Sequence, residues 1–195
     1  KANIKPIVGV EILTDTQSVT LLAEDRAGYK NLCRITTARN LDENFSLTRQ
    51  LARHGRGVIC ICTRPQALNG LREIFDKDYL FAGCRNADQA HAAERHGLKP
   101  VACTNFNYLK HEDIATAKLL AGIRSLSVAG PGPQDNCGYN KLVPEKQFRL
   151  EFENCPEAAI NAEQIAQRCN FHLLNGRYFL PKLKAAAGES ADRKL

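Results

Sequence analysis

The stretch that decides the fold is Lys99 to Asp113, KPVACTNFNYLKHED. Its first part, Pro100 to Thr104, is a run of β-branched and small residues typical of a buried strand. A polar and aromatic cluster follows, and the acidic pair at 112–113 is suited to a helix start. In α/β folds, functional groups gather where strands end at their carboxyl side. We therefore expect a strand, a site and a helix in that order.

Outward from this stretch, strand and helix patterns alternate along the chain. Strands are predicted at residues 4–13, 19–24, 58–62, 79–82 and 99–104. Helices are predicted from about residue 25 to 34 and at 47–54, 65–75, 88–96, 114–123, 144–152 and 156–169. A loop is expected at 128–139 and an extended segment at 170–180. The alternation predicts βα units and a mainly parallel sheet, open or closed as a barrel.

Composition indicates one globular domain with a real core, since the chain has 195 residues of which 44% are hydrophobic. The net charge of +6 is scattered, which favours a solvated basic surface over a dedicated nucleic-acid face. The chain contains no apolar run of about 18 residues, so we expect no membrane span and a cytoplasmic location.

The chain contains eight cysteines, and several lie within apolar runs. With no signal peptide in the sequence, we expect reduced, buried thiols rather than a disulfide framework. Cys60 and Cys62 are two residues apart in a predicted strand, so both side chains point to the same face. No second Cys or Cys/His pair follows at zinc-finger spacing, which favours core packing over a zinc site.

Glu11 is the first candidate site residue, because it lies inside an apolar run. A buried carboxylate must be paired or ligate something, since burying it alone is costly. Cys103 lies beside the predicted site and invites comparison with a nucleophile, but a buried strand cysteine is the favoured interpretation. Tyr108 is interpreted as a packing residue. The histidines at 91, 96 and 111 are expected on the surface or at helix ends, and His54 suits a helix C-terminus.

Six phrases of the sequence occur together in one known family. They are IKPIVGVE (4–11), LLAEDRAGYKNLCRI (21–35), HGLKPVACTNFNYLKHED (96–113), LLAGIRS (119–125), CPEAAINAEQIAQRCNF (155–171) and GRYFLPKL (176–183). In order and spacing they resemble the PHP (polymerase and histidinol phosphatase) domain at the amino terminus of bacterial DNA polymerase III alpha subunits. The resemblance implies a distorted (β/α)7 barrel, with residues 1–183 as the domain, its first strand missing, and 184–195 as a linker towards the polymerase body.

The resemblance also implies what the site should contain. Active members hold a cluster of divalent metals built from an H-x-H on the first strand, a Glu ending the K-P-x-x-G-x-E strand, further histidines and a late D-x-H. Glu11 matches the Glu position, whereas the D-x-H falls on Asn105 and Asn107. An amide oxygen is a neutral, weak ligand, and loss of the imidazole removes the best nitrogen donor. We expect a degenerate site with no metal cofactor, or Zn, Mn or Mg if it is active.

The resemblance implies that this chain is a structural and docking module in DNA replication. It implies contact with the remainder of the polymerase alpha chain and with the proofreading exonuclease subunit, and with template DNA through the full-length protein. The parent would be a DNA-directed DNA polymerase, a nucleotidyltransferase whose polymerase active site lies outside this segment. Two alternatives stay open: an active metal-dependent phosphoesterase or pyrophosphatase, and a module that binds DNA directly, for which a steep fall of affinity with salt would be diagnostic.

Overall fold

The computed structural model describes residues 4–14, 18–63, 68–104, 106–125 and 140–173. Its strands are β1 (Gly9–Leu13), β2 (Ser18–Ala23), β3 (Val58–Cys62), β4 (Leu80–Cys84), β5 (Lys99–Ala102), β6 (Phe106–Tyr108) and β7 (Asn140–Lys141). Its helices are α1 (Arg26–Leu41), α2 (Leu47–His54), α3 (Leu68–Arg72), α4 (Ala87–Arg95), α5 (Ile114–Ser125), α6 (Glu145–Glu151) and α7 (Pro156–Arg168). The loop expected at 128–139 and the linker at 184–195 lie outside the described residues.

The fold is a mixed α/β arrangement around a five-stranded sheet of order β1-β2-β3-β4-β5. The pairs β3/β4 and β4/β5 are parallel, whereas β1/β2 and β2/β3 are antiparallel. The prediction of a mainly parallel sheet is therefore wrong for the first two pairs. For β1 and β2 the reason is the short connection from Leu13 to Ser18, which leaves no room for the crossover that parallel neighbours need.

The sheet is open among the described strands, with β1 and β5 at its two sides. A closed (β/α)7 barrel is therefore not observed in these residue ranges. The chain leaves β5, and β6 pairs in parallel with β7 in a separate two-stranded sheet. The predicted strand, site and helix after residue 99 become β5, β6, a short 3-10 turn at His111–Asp113 and α5.

The hydrophobic core lies on both faces of the five-stranded sheet. On one face Cys60 and Cys62, only 0% and 2% exposed, pack in a cluster with residues of α1 and α2, as the core interpretation of this pair predicted. On the other face Ile59, Ile61, Phe81 and Val101 pack against Ile165 and Cys169 of α7 and its carboxyl end. Strand β3 is buried on both faces, which its uninterrupted apolar sequence requires.

Helix α1 begins at a tightly constrained junction. The Asp25 carboxylate accepts a hydrogen bond from the Gly28 N–H at 2.8 Å and so caps the helix. A Cβ on Gly28 would lie 1.9 Å from the carbonyl oxygen of Gly57. Gly57 itself has φ +71°, a conformation that favours glycine. Two glycines therefore allow α1 to approach the turn that precedes β3.

Helix α7 joins strands at the amino end of the sheet, by which we mean the end where β3, β4 and β5 begin. The Arg168 guanidinium contacts the Glu24 carboxylate at 2.9 Å and donates to the Asp78 carbonyl at 2.6 Å. It also lies over the Tyr79 ring, 4.7 Å from the centroid. Because Glu24 directly follows β2 and Asp78 precedes β4, one side chain bridges two strands. We call this set of contacts the α7 clasp.

The α7 clasp extends to both sides of the sheet. Lys5, ahead of β1, donates from Nζ to the carbonyl of Ala166 at 2.6 Å, where the carboxyl end of α7 favours a cation. Near the other side, Asn161 is 3% exposed and donates from Nδ2 to the Pro100 carbonyl in β5 at 2.8 Å. The helix thus ties the segment before β1 to β5, and these contacts draw the two sides of the open sheet towards one another.

The longest described helix, α1, has 16 residues. No helix in the described ranges has the length and apolarity needed to cross a membrane.

Candidate functional site

The predicted site lies at the carboxyl end of the sheet, where β3, β4 and β5 end. Strand β1 runs in the same direction as β3, because each is antiparallel to β2. The end of β1 therefore lies at the same end of the sheet as Thr63, Arg85 and Cys103, which follow β3, β4 and β5. This is the end at which α/β folds present functional side chains.

Glu11 lies in β1 and is exposed, so the expectation of a buried carboxylate is wrong. The apolar run around it is covered on one face only: Ile12 is 3% exposed, whereas Leu13 is 51% exposed. Strand β1 is a side strand of the sheet, and its alternate residues face solvent. Within the described residues Glu11 forms no ion pair, so its carboxylate is available at the carboxyl end of the sheet.

Cys103 follows β5, on the opposite side of the sheet from Glu11. Burial is the main cause that raises the pKa of its thiol; the Glu11 carboxylate raises it further, and the Arg85 guanidinium opposes the rise. Strands β1 and β5 are the two outer strands of the described sheet, and the effect of Glu11 is the smallest of the four on the Cys103 thiol.

Gly83 provides the space at the centre of this end of the sheet. A Cβ there would lie 2.8 Å from Cys103 Sγ, 2.9 Å from Thr63 Cγ2 and 3.1 Å from Ile61 Cγ2. Side chains from β3 and from the end of β5, the two neighbours of β4, thus converge over one glycine. Any larger residue would push into these side chains, so the glycine is required by the packing.

Three hydroxyl groups complete the described part of the site. The Thr63 hydroxyl lies 3.2 Å from the hydroxyl of Ser18, which is 8% exposed, and the pair links β3 to β2. Thr104 Oγ1 is buried and, within the described part of the chain, has no hydrogen-bond partner. A buried hydroxyl without a partner costs free energy, so this atom marks a position where the fold is not optimised for stability.

Asn105 and Asn107 were predicted to point the same way at this site. Asn105 lies outside the described residues. The backbone of Asn107 is the middle of β6, which pairs with β7 with an irregular register between Phe106 and Tyr108. Their roles as vestigial ligands therefore stay predictions.

A divalent-metal cluster of the kind the resemblance implies does not fit the described side chains around Glu11. The groups that act on the Cys103 thiol at this end are the Arg85 guanidinium, which lowers its pKa, and the Glu11 carboxylate, which raises it. A group of metal ions needs several imidazole and carboxylate ligands, and a nearby guanidinium repels cations. Among the described residues, Glu11 belongs to no group of three possible ligands within reach of one another.

Sequence reasoning missed Arg85 as part of this site. It follows β4 in the polar turn CRNAD, where an arginine carries no distinctive spacing. Arg85 comes near Cys103 because each follows one of two adjacent parallel strands, β4 and β5. The predictions for the histidines are confirmed: His91, His96 and His111 are exposed, and His54 lies in the last turn of α2.

Comparison with known proteins finds bacterial DNA polymerase III alpha subunits, whereas no protein-family model matches the chain. Over 94% of its length the chain is 27% identical to a DNA polymerase III subunit alpha of Buchnera aphidicola, of which it covers 19%. It is 25% identical over its whole length to the same subunit of Halalkalibacterium halodurans, covering 20%. It is also 26% identical, over 98% of its length, to an error-prone DNA polymerase 1 of Agrobacterium fabrum, covering 20%. The chain is thus similar to bacterial DNA polymerase alpha subunits and spans about a fifth of the length of these curated relatives.

Proposed function

We propose that this chain is the PHP-domain part of a bacterial DNA polymerase III alpha subunit, and that it works in DNA replication as a structural and docking module with a degenerate metal site. The observation that carries the proposal is the similarity to alpha subunits over 94% of the chain. The side chains at the carboxyl end of the sheet support the second half of the proposal. They include the Glu11 carboxylate, the Cys103 thiol and the Arg85 guanidinium.

The chemistry at this end of the sheet argues for a scaffold rather than a hydrolase. Metal-assisted hydrolysis of a phosphoester needs cations that activate water and neutralise the phosphate. In the sequence, two amides at positions 105 and 107 stand where the resemblance implies Asp and His, and an amide supplies no charge to hold such cations. Glu11 is exposed and, among the described residues, belongs to no group of three possible metal ligands.

Helix α5 supports the docking half of the proposal. Its side chains Leu119, Leu120 and Ile123 are 55%, 60% and 62% exposed, and we call them the α5 apolar surface. Exposed apolar patches of this kind are typical of contact with another protein surface. The proposed occupants are the remainder of the polymerase chain or the proofreading exonuclease subunit.

The docking role is tested in the full polymerase chain. Serine at all three positions of the α5 apolar surface should weaken binding of the exonuclease subunit or lower the thermal stability of the polymerase, because apolar area is lost from a contact. The matched control is serine at Leu41 and Leu150, which are 79% and 59% exposed on other helices. Unchanged binding and unchanged stability in the triple variant would refute the docking role.

The metal-site half is tested by hydrolysis. The wild-type polymerase should show no chelator-sensitive phosphoester hydrolysis that depends on Glu11. Chelator-sensitive hydrolysis that disappears in Glu11→Gln but persists in Glu112→Gln, an exposed control on the turn before α5, would replace the scaffold with the alternative of an active phosphoesterase. Because the readout is tied to Glu11, metal bound elsewhere on the chain does not confuse the result.

A further inference from the structure

A second group of side chains, away from the carboxyl end of the sheet, has metal-binding chemistry. His91 and Glu94 lie one turn apart on α4, and His91 Nδ1 is 3.3 Å from Glu94 Oε2. Cys155, which caps the start of α7, donates from Sγ to Glu94 Oε1 at 3.5 Å. The three ligand atoms all lie within 4.8 Å of one another. In the described part of the chain this is the one such group of three possible ligands.

The separations are close to those of a tetrahedral zinc site. With Zn–N and Zn–O near 2.1 Å and Zn–S near 2.3 Å, tetrahedral angles place N and O about 3.4 Å apart and S and O about 3.6 Å apart. His91 Nδ1 is 3.3 Å from Glu94 Oε2 and Cys155 Sγ is 3.5 Å from Glu94 Oε1, so each separation involves a different carboxylate oxygen. On binding, the carboxylate turns so that one oxygen faces both partners, and the sulfur to nitrogen separation, at most 4.8 Å, shortens. Because His91 is about half exposed, a rotation of its ring can provide that change.

The local charges favour a cation at this point. Cys155 is 3% exposed, and its Sγ lies 3.5 Å from Glu94 Oε1. A thiol held against a carboxylate is an unfavourable place for a second negative charge, and a bound cation reverses that. Glu157, in the first turn of α7, adds a further carboxylate to this end of the helix.

We propose that His91, Glu94 and Cys155 form a Zn²⁺ site that ties α4 to the start of α7. Cysteine, histidine and carboxylate together are ligands that zinc prefers. On binding, His91 contributes a neutral imidazole nitrogen, Glu94 a carboxylate oxygen, and Cys155 a thiolate whose proton passes to water. The fourth position is open to solvent because His91 and Glu94 are 47% and 42% exposed. The site differs in residues and place from the Glu11 site, and its argument does not depend on the proposed function.

The experiment titrates the 195-residue chain with Co²⁺ and then displaces it with Zn²⁺. We expect one Co²⁺ per chain with a thiolate-to-cobalt absorption band that Zn²⁺ abolishes, release of protons on binding, and a higher melting temperature with Zn²⁺. His91→Gln, Glu94→Gln and Cys155→Ser should each weaken binding about 10-fold or more and remove the thermal shift. The first two residues are exposed, so these variants should fold as the parent does.

Matched controls isolate the three ligands. His96→Gln changes an exposed histidine at the end of the same helix, and Cys169→Ser changes a buried cysteine at the other end of α7. Both should bind the ions as the parent chain does. The proposal is overturned if the parent shows no thiolate band, or if His91→Gln and Glu94→Gln bind Zn²⁺ with unchanged affinity.

Discussion

The two ends of the five-stranded sheet differ in how their polar side chains are partnered. At the amino end, the α7 clasp gives Arg168 a carboxylate, a carbonyl and an aromatic ring, and Lys5 occupies the end of the helix. At the carboxyl end, within the described residues, Glu11 has no ion pair and Thr104 Oγ1 no hydrogen bond. In α/β folds, interactions at the amino end serve stability, whereas groups at the carboxyl end serve function. Substitutions at the carboxyl end can therefore remove ligands while the sheet remains folded.

The largest expected effect comes from Gly28→Ala, which breaks the junction of α1 with the turn before β3. The added Cβ would lie 1.9 Å from the Gly57 carbonyl oxygen, so backbone must move. We expect the free energy of unfolding to fall by about 3 kcal/mol. Urea denaturation measures it. Gly70→Ala, within α3, is the control. The added Cβ would meet only Thr48 Cγ2, at 3.4 Å, so we expect equal stability or a gain of about 0.5–1 kcal/mol. Equal losses in both variants would contradict the close approach.

Asn161→Ala tests the α7 clasp where it meets β5. The substitution leaves the Pro100 carbonyl without its 2.8 Å partner in a buried setting, so we expect a loss of about 1–3 kcal/mol. Asn31→Ala is the matched control, because Asn31 makes a bond of equal length to the Arg56 carbonyl in a solvent-exposed setting, and we expect a loss of less than about 0.5 kcal/mol. Denaturation midpoints of the two variants decide the comparison. If they coincide, α7 does not anchor β5 through this contact.

Local sequence patterns predicted several helices and strands in the first half of the chain well. The bounds of α2 and β3, residues 47–54 and 58–62, agree with the structure because capping residues and β-branched runs are local signals. The end of α4 at Gly97, with φ +67°, was predicted for the same reason. Helix α1 extends to Leu41, beyond the predicted end near residue 34, because no Gly or Pro stops it.

The candidate site was harder to predict, because its residues are distant in sequence. The apolar run around Glu11 suggested a strand covered on both faces. Strand β1 is instead a side strand, and only one of its faces, which carries Val10 and Ile12, packs on the core. The charges that act on the Cys103 thiol come from Glu11 and Arg85, which are distant from each other in the sequence. The contact between Cys155 and Glu94 joins residues 61 apart, and no local pattern encodes it.

A smaller effect at the amino end of the sheet is the pH dependence of stability that comes from Asp78. The pKa of the Asp78 carboxyl is lowered, chiefly by its hydrogen bond to Lys99 Nζ at 2.6 Å, with a smaller part from Arg168. A carboxyl whose pKa is lowered on folding adds stability above its unfolded pKa of about 3.9 and loses it as pH falls through the folded value. Lys99→Gln should raise the Asp78 pKa towards its ordinary value, which a carboxyl NMR titration measures. Lys146→Gln, an exposed control on α6, should leave it unchanged, and an unmoved pKa in Lys99→Gln would contradict the pairing.

The smallest effect on stability, and the sharpest test of the carboxyl end, is Glu11→Gln. Because Glu11 is exposed and without an ion pair among the described residues, the free energy of unfolding should change by less than about 0.5 kcal/mol. Yet the variant removes an anion that disfavours the Cys103 thiolate, so the pKa of Cys103 should fall, whereas Arg85→Gln removes a cation and should raise it. Site-resolved alkylation rates against pH, read by peptide mass spectrometry, report both shifts. Cys169, whose charged neighbours are Glu24, Lys5 and Arg168, is the internal control and should keep its profile. If the alkylation profile of Cys103 shifts in neither variant, Glu11 does not approach the Cys103 thiol and is an isolated surface carboxylate.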